Sequence, residues 1–102
     1  MIFVETPTFT RRIVDLMDDD EYRELQSCVA EHPGIGKVIP GSGGMRKLRW
    51  AGSGRGKRSG LRLIYCWWIA KDRISMLFIY CRNEQADLTP EQVKLLRRAL
   101  EL

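Results

Sequence analysis

Histidine is almost absent from this chain of 102 residues; His32 stands alone. Acid–base cleavage by a pair of imidazoles is therefore not open to it, and a zinc site would lack its usual ligands. Cysteine is scarce too. Cys28, Cys66 and Cys81 are odd in number, form no CxxC pair and sit inside apolar patterns. They read as small buried hydrophobes rather than as disulfides, metal ligands or a nucleophile. No apolar run approaches the roughly 18 residues of a membrane span, so no membrane partner is expected. The opening MIFVETPTF carries neither the charged nor the apolar region of a secretory signal, and a cytoplasmic location is the expectation. The chain shows no repeat or low-complexity tail, and its length predicts one domain over 1–102 with a single core.

Acidic residues are missing from one long stretch. Between Lys37 and Arg62 there are eight basic residues and no acidic one: Lys37, Arg46, Lys47, Arg49, Arg55, Lys57, Arg58 and Arg62. The whole chain is only +4, so this stretch exceeds the entire net charge. Glycines are interleaved, as GSGG at 41–44 and GSGRGKRSG at 52–60. Cations neutralise a phosphate backbone, and glycine lets the protein backbone approach it closely. A solvated basic loop is the plain alternative. Residues 1–32 run the other way, with three basic side chains against eight acidic ones.

The apolar pattern predicts the elements. Ile2-Phe3-Val4 reads as a short strand. Thr8 is placed to cap a helix carrying Phe9, Ile13, Leu16 and Met17 on one stripe. Asp18-Asp19-Asp20 interrupts it and supplies the next N-cap, before a second helix with Tyr22, Leu25, Cys28 and Val29 inward and a stop at His32-Pro33-Gly34. Residues 45–50 alternate, with Leu48 and Trp50 on one side and Lys47 and Arg49 on the other. Residues 61–69 and 74–81 are apolar on both faces, as central strands are, with a turn at 70–73. Thr89-Pro90-Glu91-Gln92 opens a last helix with a capping box, followed by Val93, Leu96 and Leu100. The fold class is α+β: a small, mostly antiparallel sheet with an N-terminal helical hairpin and a C-terminal helix.

Lys47 and Arg49 share one face of their strand, and Arg62 reaches the same surface if strands 45–50 and 61–69 pair as a hairpin. Three fixed cations would clamp a phosphodiester and stabilise the charge that builds in its transition state. Arg46 and the loop residues Arg55, Lys57 and Arg58 would bind the RNA strand on either side. No carboxylate cluster accompanies them, which argues against a two-metal nuclease; no metal or other cofactor is expected. What remains is attack of a ribose 2′-hydroxyl on its neighbouring phosphate. Candidates for the acid or base are Lys47, Tyr80 and Glu84. A lysine among other cations has its charged form disfavoured, which suits it to act as a base. An aromatic at a strand end is more often core than catalytic, which counts against Tyr80, and the plain alternative for Glu84 is pairing with a neighbouring arginine. Trp50, Trp67 and Trp68 offer stacking surfaces for bases, but two of the three are expected in the core.

The stretch GGMRKLRWAGSGRGKRSGLRLIYCW, followed by LFIYCRNEQADLTPEQ, resembles the HigB branch of the RelE/ParE toxin superfamily. The resemblance covers nearly the whole chain. It implies a RelE-like fold and the toxin role in a type II toxin–antitoxin system. It implies a HigA-like helix-turn-helix antitoxin as partner, with operator DNA bound only through that antitoxin. RelE-like members are endonucleases (mRNA interferases) that cut mRNA in the ribosomal A site; ParE-like members inhibit DNA gyrase instead. A non-catalytic RNA-binding module is a further alternative. The two basic residues of RelE-type toxins on the second strand match Lys47-Leu48-Arg49, the arginine after the glycine that opens the third matches Gly60-Leu61-Arg62, and the basic segment after the fourth matches Arg82. A further arginine and a tyrosine of RelE-type toxins fall on Asn83 and Thr89, so the resemblance leaves Tyr80 or Glu84 to replace that tyrosine.

Overall fold

The computed structural model describes residues 1–51 and 60–100. In chain order the elements are β1 (Ile2–Glu5), α1 (Pro7–Leu16), α2 (Asp19–Glu31), β2 (Lys37–Val38), β3 (Met45–Trp50), β4 (Leu61–Trp68), β5 (Arg73–Cys81) and α3 (Pro90–Leu100). The strands form one sheet in the order β1-β5-β4-β3-β2. β2, β3, β4 and β5 pair antiparallel, and β1 lies parallel to β5. The parallel pair follows from the crossover between them, since α1 and α2 carry the chain away from β1 before the meander begins.

The helix starts are set by short polar side chains. Thr6, rather than Thr8, caps α1: its hydroxyl accepts from the Phe9 N–H and donates to the Leu77 carbonyl. Pro7 then occupies the first turn, where no N–H is needed. Asp18 caps α2 through the Glu21 N–H. Thr89 and Gln92 form the reciprocal capping box of α3, each side chain accepting the other's backbone N–H.

Each sheet face has its own apolar layer. Phe9, Ile13, Met17, Leu25 and Val29 of the helical hairpin pack on Leu48, Leu61, Leu63, Tyr65, Ile74, Met76 and Ile79. On the opposite face Val93, Leu96 and Leu100 of α3 pack on Met45, Ile64, Cys66, Leu77 and Tyr80. Between the pairs Ile64↔Phe78 and Tyr65↔Met76 the register shifts, and Leu77 is the extra residue. That bulge puts Leu77 and Phe78 both beneath α3, and thereby brings Tyr80 onto the same face. The three tryptophans all pack against these layers, Trp50 and Trp67 on the hairpin side and Trp68 on the α3 side. Cys66 and Cys81 are buried and Cys28 half-buried, all as free thiols. Among the described residues no helix is long and apolar enough to cross a membrane.

Candidate functional site: a cationic row beside the C-terminal helix

β3 sorts its side chains by parity. Met45, Lys47 and Arg49 face the α3 side; Arg46, Leu48 and Trp50 face the hairpin. Register then assembles the site across strands, because residues directly opposite share a face. Lys37 of β2 lies opposite Lys47 of β3. Arg49 lies opposite Arg62 of β4, and Arg62 lies opposite Tyr80 of β5. Four cations from three strands thus stand on one face, at the end of the sheet where the Gly-rich connection joins β3 to β4. Arg49 is exposed, Lys47 is half-buried and Arg62 is only 8% exposed. The sequence shows Lys37 only as one of eight cations in its stretch; its place in the row depends on β2, a two-residue strand too short to carry a periodic signal.

An acidic residue enters this site from the turn before α3. The Lys47 ammonium donates to the Asp87 carboxylate at 2.7 Å. That hydrogen bond and charge, with further help from Arg49 and Arg62, hold the Asp87 carboxyl below the usual carboxylate range. Lys47 is therefore not surrounded by cations alone. Asp87 is silent in the sequence, where it is one residue of a polar turn.

Tyr80 is wholly buried, and its hydroxyl has no hydrogen-bond partner among the described residues. Burial pushes its phenol above the ordinary range; the Asp87 charge adds to this and Arg62 opposes it. Tyr80 is thus a neutral phenol set beside Arg62, with its hydrogen uncommitted. Such an orphaned polar group is uncommon in a core, and a role at a site is one explanation of it.

Other candidates stand apart. Arg46 is on the opposite face, where its guanidinium donates to the Gly34 and Gly36 carbonyls at 3.2 and 2.8 Å. It braces the 34–36 turn together with Tyr65, whose hydroxyl accepts from the Gly36 N–H and donates to the Pro33 carbonyl. Gly36 has no alternative there, since a Cβ would lie 2.9 Å from the Tyr65 ring. Glu84 accepts two hydrogen bonds from Arg12, at 2.9 and 2.7 Å, and one from the Cys81 N–H. The Cys81 N–H first, and then Arg12, hold its carboxyl below the ordinary range. A carboxylate so engaged straps α1 to the end of β5.

Arg82 is exposed and its backbone N–H bonds the Gly60 carbonyl at 2.8 Å. Gly60 opens β4 at a φ of +83, the left-handed region that favours glycine, and a Cβ there would lie 3.3 Å from the Arg82 Cβ. Arg82 therefore borders the mouth of the Gly-rich connection. Arg55, Lys57 and Arg58 lie outside the described residues. Among the described residues no three His, Cys, Asp or Glu side chains gather closely enough to hold a metal ion.

Comparison with known proteins bears on the architecture. No family model matches the sequence. A chain in the crystal structure of the intact E. coli RelBE toxin–antitoxin complex has a similar fold, with a TM-score of 0.61 over 78% of this chain and 94% of that chain, at 17% identity. The likeness is one of fold: the chain is an α+β protein with a RelE-like arrangement of three helices on a five-stranded sheet.

Proposed function

We propose that this chain is the toxin of a type II toxin–antitoxin pair, of the HigB branch, and that it is a ribosome-dependent mRNA endonuclease of the cytoplasm. The observation that carries the reading is the direct register of Arg49 with Arg62, Lys47 two residues along the same face, and the buried Tyr80 hydroxyl next in the row. Fold likeness to a chain of the RelBE complex supports the toxin role, and the resemblance of RKLRW, GRGKRSGLRLIY and NEQADLT to HigB-type toxins supports the branch.

In this reading the guanidinium groups of Arg49 and Arg62 hold the non-bridging oxygens of the scissile phosphate. The 2′-hydroxyl attacks that phosphorus and gives up its proton to water, the P–O5′ bond breaks, and a 2′,3′-cyclic phosphate forms. Lys47, two residues along the same face, delivers a proton to the leaving 5′-oxygen. Preorganised charge supplies most of the rate, since cations already in place need no rearrangement as the phosphorane develops. Arg82 and the basic residues Arg55, Lys57 and Arg58 bind message or ribosomal RNA. The partner is a HigA-like helix-turn-helix antitoxin that carries the pair to its operator.

Primer extension on a defined message in a purified translation system tests this. The chain is compared with Lys47→Ala/Arg49→Ala, with naked RNA and EDTA-treated reactions alongside. Cuts within codons that require ribosomes and vanish in the double variant are the expected result. Intact message with translation still running would overturn the reading and make gyrase supercoiling the next assay.

A further inference from the structure

The geometry points to Asp87 as a built-in stand-in for phosphate: in the free protein its carboxylate occupies Lys47, and an incoming phosphodiester must displace it. This inference rests on the reading of the cationic row as an RNA phosphate site, and it adds how that site is held when empty of RNA. Three observations carry it. Asp87 meets Lys47 at hydrogen-bonding distance, 2.7 Å, on the face that bears Arg49 and Arg62. Its position is prepared rather than accidental. The Gln85 side chain donates to the Asp87 carbonyl and to Gln92 at the start of α3, and Leu88 packs on the apolar layer beneath that helix. The turn is thus anchored on both sides of Asp87. Third, the ion pair is open to water, with Asp87 72% and Lys47 27% exposed in their side chains.

The last point decides the direction of the effect. A buried, desolvated pair would lock the site. An exposed pair adds little stability and exchanges readily for another anion. Asp87 hydrogen-bonds only Lys47 of the row, whereas a phosphodiester brings two non-bridging oxygens that can engage Lys47 and the arginines together. An anion that touches one cation is rejected in favour of one that bridges several. Asp87 therefore tunes the site against weak single-point anions, and it lowers affinity for RNA that is not correctly seated.

The test is fluorescence anisotropy with the full chain and a short labelled 2′-O-methyl RNA, which cannot undergo 2′-attack. Four proteins are compared at one low salt concentration: wild type, Asp87→Asn, Lys47→Met and the double variant. Asp87→Asn is expected to tighten binding about three- to tenfold, the scale of one exposed cation set free. In the Lys47→Met background the same change is expected to alter binding less than about twofold, because the partner is gone. Unchanged or weaker binding by Asp87→Asn, an equal gain without Lys47, or no binding by any of the four overturns the inference. The translation assay separates the two levels. Cleavage by wild type with no Lys47-dependent gain in Asp87→Asn removes the stand-in and keeps the endonuclease. A Lys47-dependent gain with no cleavage by either protein keeps the stand-in and removes the endonuclease.

Discussion

Arg46 and Lys47 are sequence neighbours of the same charge on the same strand, yet they do opposite jobs. Arg46 points to the hairpin side and spends its guanidinium on two backbone carbonyls of the 34–36 turn. Lys47 points to the α3 side and joins Lys37, Arg49 and Arg62 in an open row. The two faces differ in the same way as the two residues. The hairpin face is sealed by two helices, and polar groups near its rim have protein partners: Tyr65 with Pro33 and Gly36, and Trp50 Nε1–H with Glu21. The α3 face is covered by one helix, and beyond it lie the buried Arg62 and a Tyr80 hydroxyl that has no partner among the described residues. One face holds the fold together; on the other Lys47 is held by an exposed ion pair with Asp87, and the Tyr80 hydroxyl has no partner among the described residues.

Substitutions on each face should separate stability from activity. The largest effect is expected at the centre of the sealed face. Phe9 is wholly buried there, and Phe9→Ala should cost about 3–5 kcal/mol in urea unfolding, with activity lost only as the fold is lost. On the open face Arg62→Met should do the reverse. Message cleavage should fall at least about 100-fold, as when a preorganised charge is removed. Stability should hold within about 1 kcal/mol, because the substitution also removes a buried cation. Loss of fold in Arg62→Met would mean that the open face is structural too.

A smaller effect is expected at the strap between α1 and β5. Glu84→Gln should lower stability near neutral pH by about 1 kcal/mol, discounted for exposure. The sign with pH follows from its depressed carboxyl. The stabilisation is present above the ordinary carboxylate range and is lost as pH falls through and below that range. Melting curves of wild type and variant should therefore converge on acidification; a constant gap would show that charge is not the cause. The smallest stability effect belongs to Tyr80→Phe, because the hydroxyl it deletes has no partner among the described residues. Its melting curve should match wild type, and any fall in cleavage then reports the hydroxyl alone. A clear loss of stability would mean that the hydroxyl is engaged after all.

Much of this was legible from residues alone. The alternation Met45-Arg46-Lys47-Leu48-Arg49-Trp50 predicts which side chains share a face, and the structure keeps that parity. The capping box at Thr89 and Gln92 forms as written. Less legible were features that depend on long-range partners. Thr6 outcompetes Thr8 as the cap of α1 while its hydroxyl also bonds Leu77, far along the chain. Sequence leaves Glu84 open as a proton carrier or as an arginine partner, and only the fold brings Arg12, on another element, to it. Arg46 reads in the sequence as an RNA-binding cation because sequence shows its charge and not the two carbonyls it bonds.

Local sequence sets every element except the two-residue β2, together with their order and the cationic surplus of the middle stretch, since periodicity, capping and charge are local properties. Tertiary structure alone decided that β1 runs parallel beside β5, that a bulge at Leu77 turns Tyr80 toward Arg62, and that Asp87 reaches Lys47. Those outcomes depend on register between strands and on how α3 seats against the sheet. Register follows from matching whole apolar faces at once, which no short segment encodes.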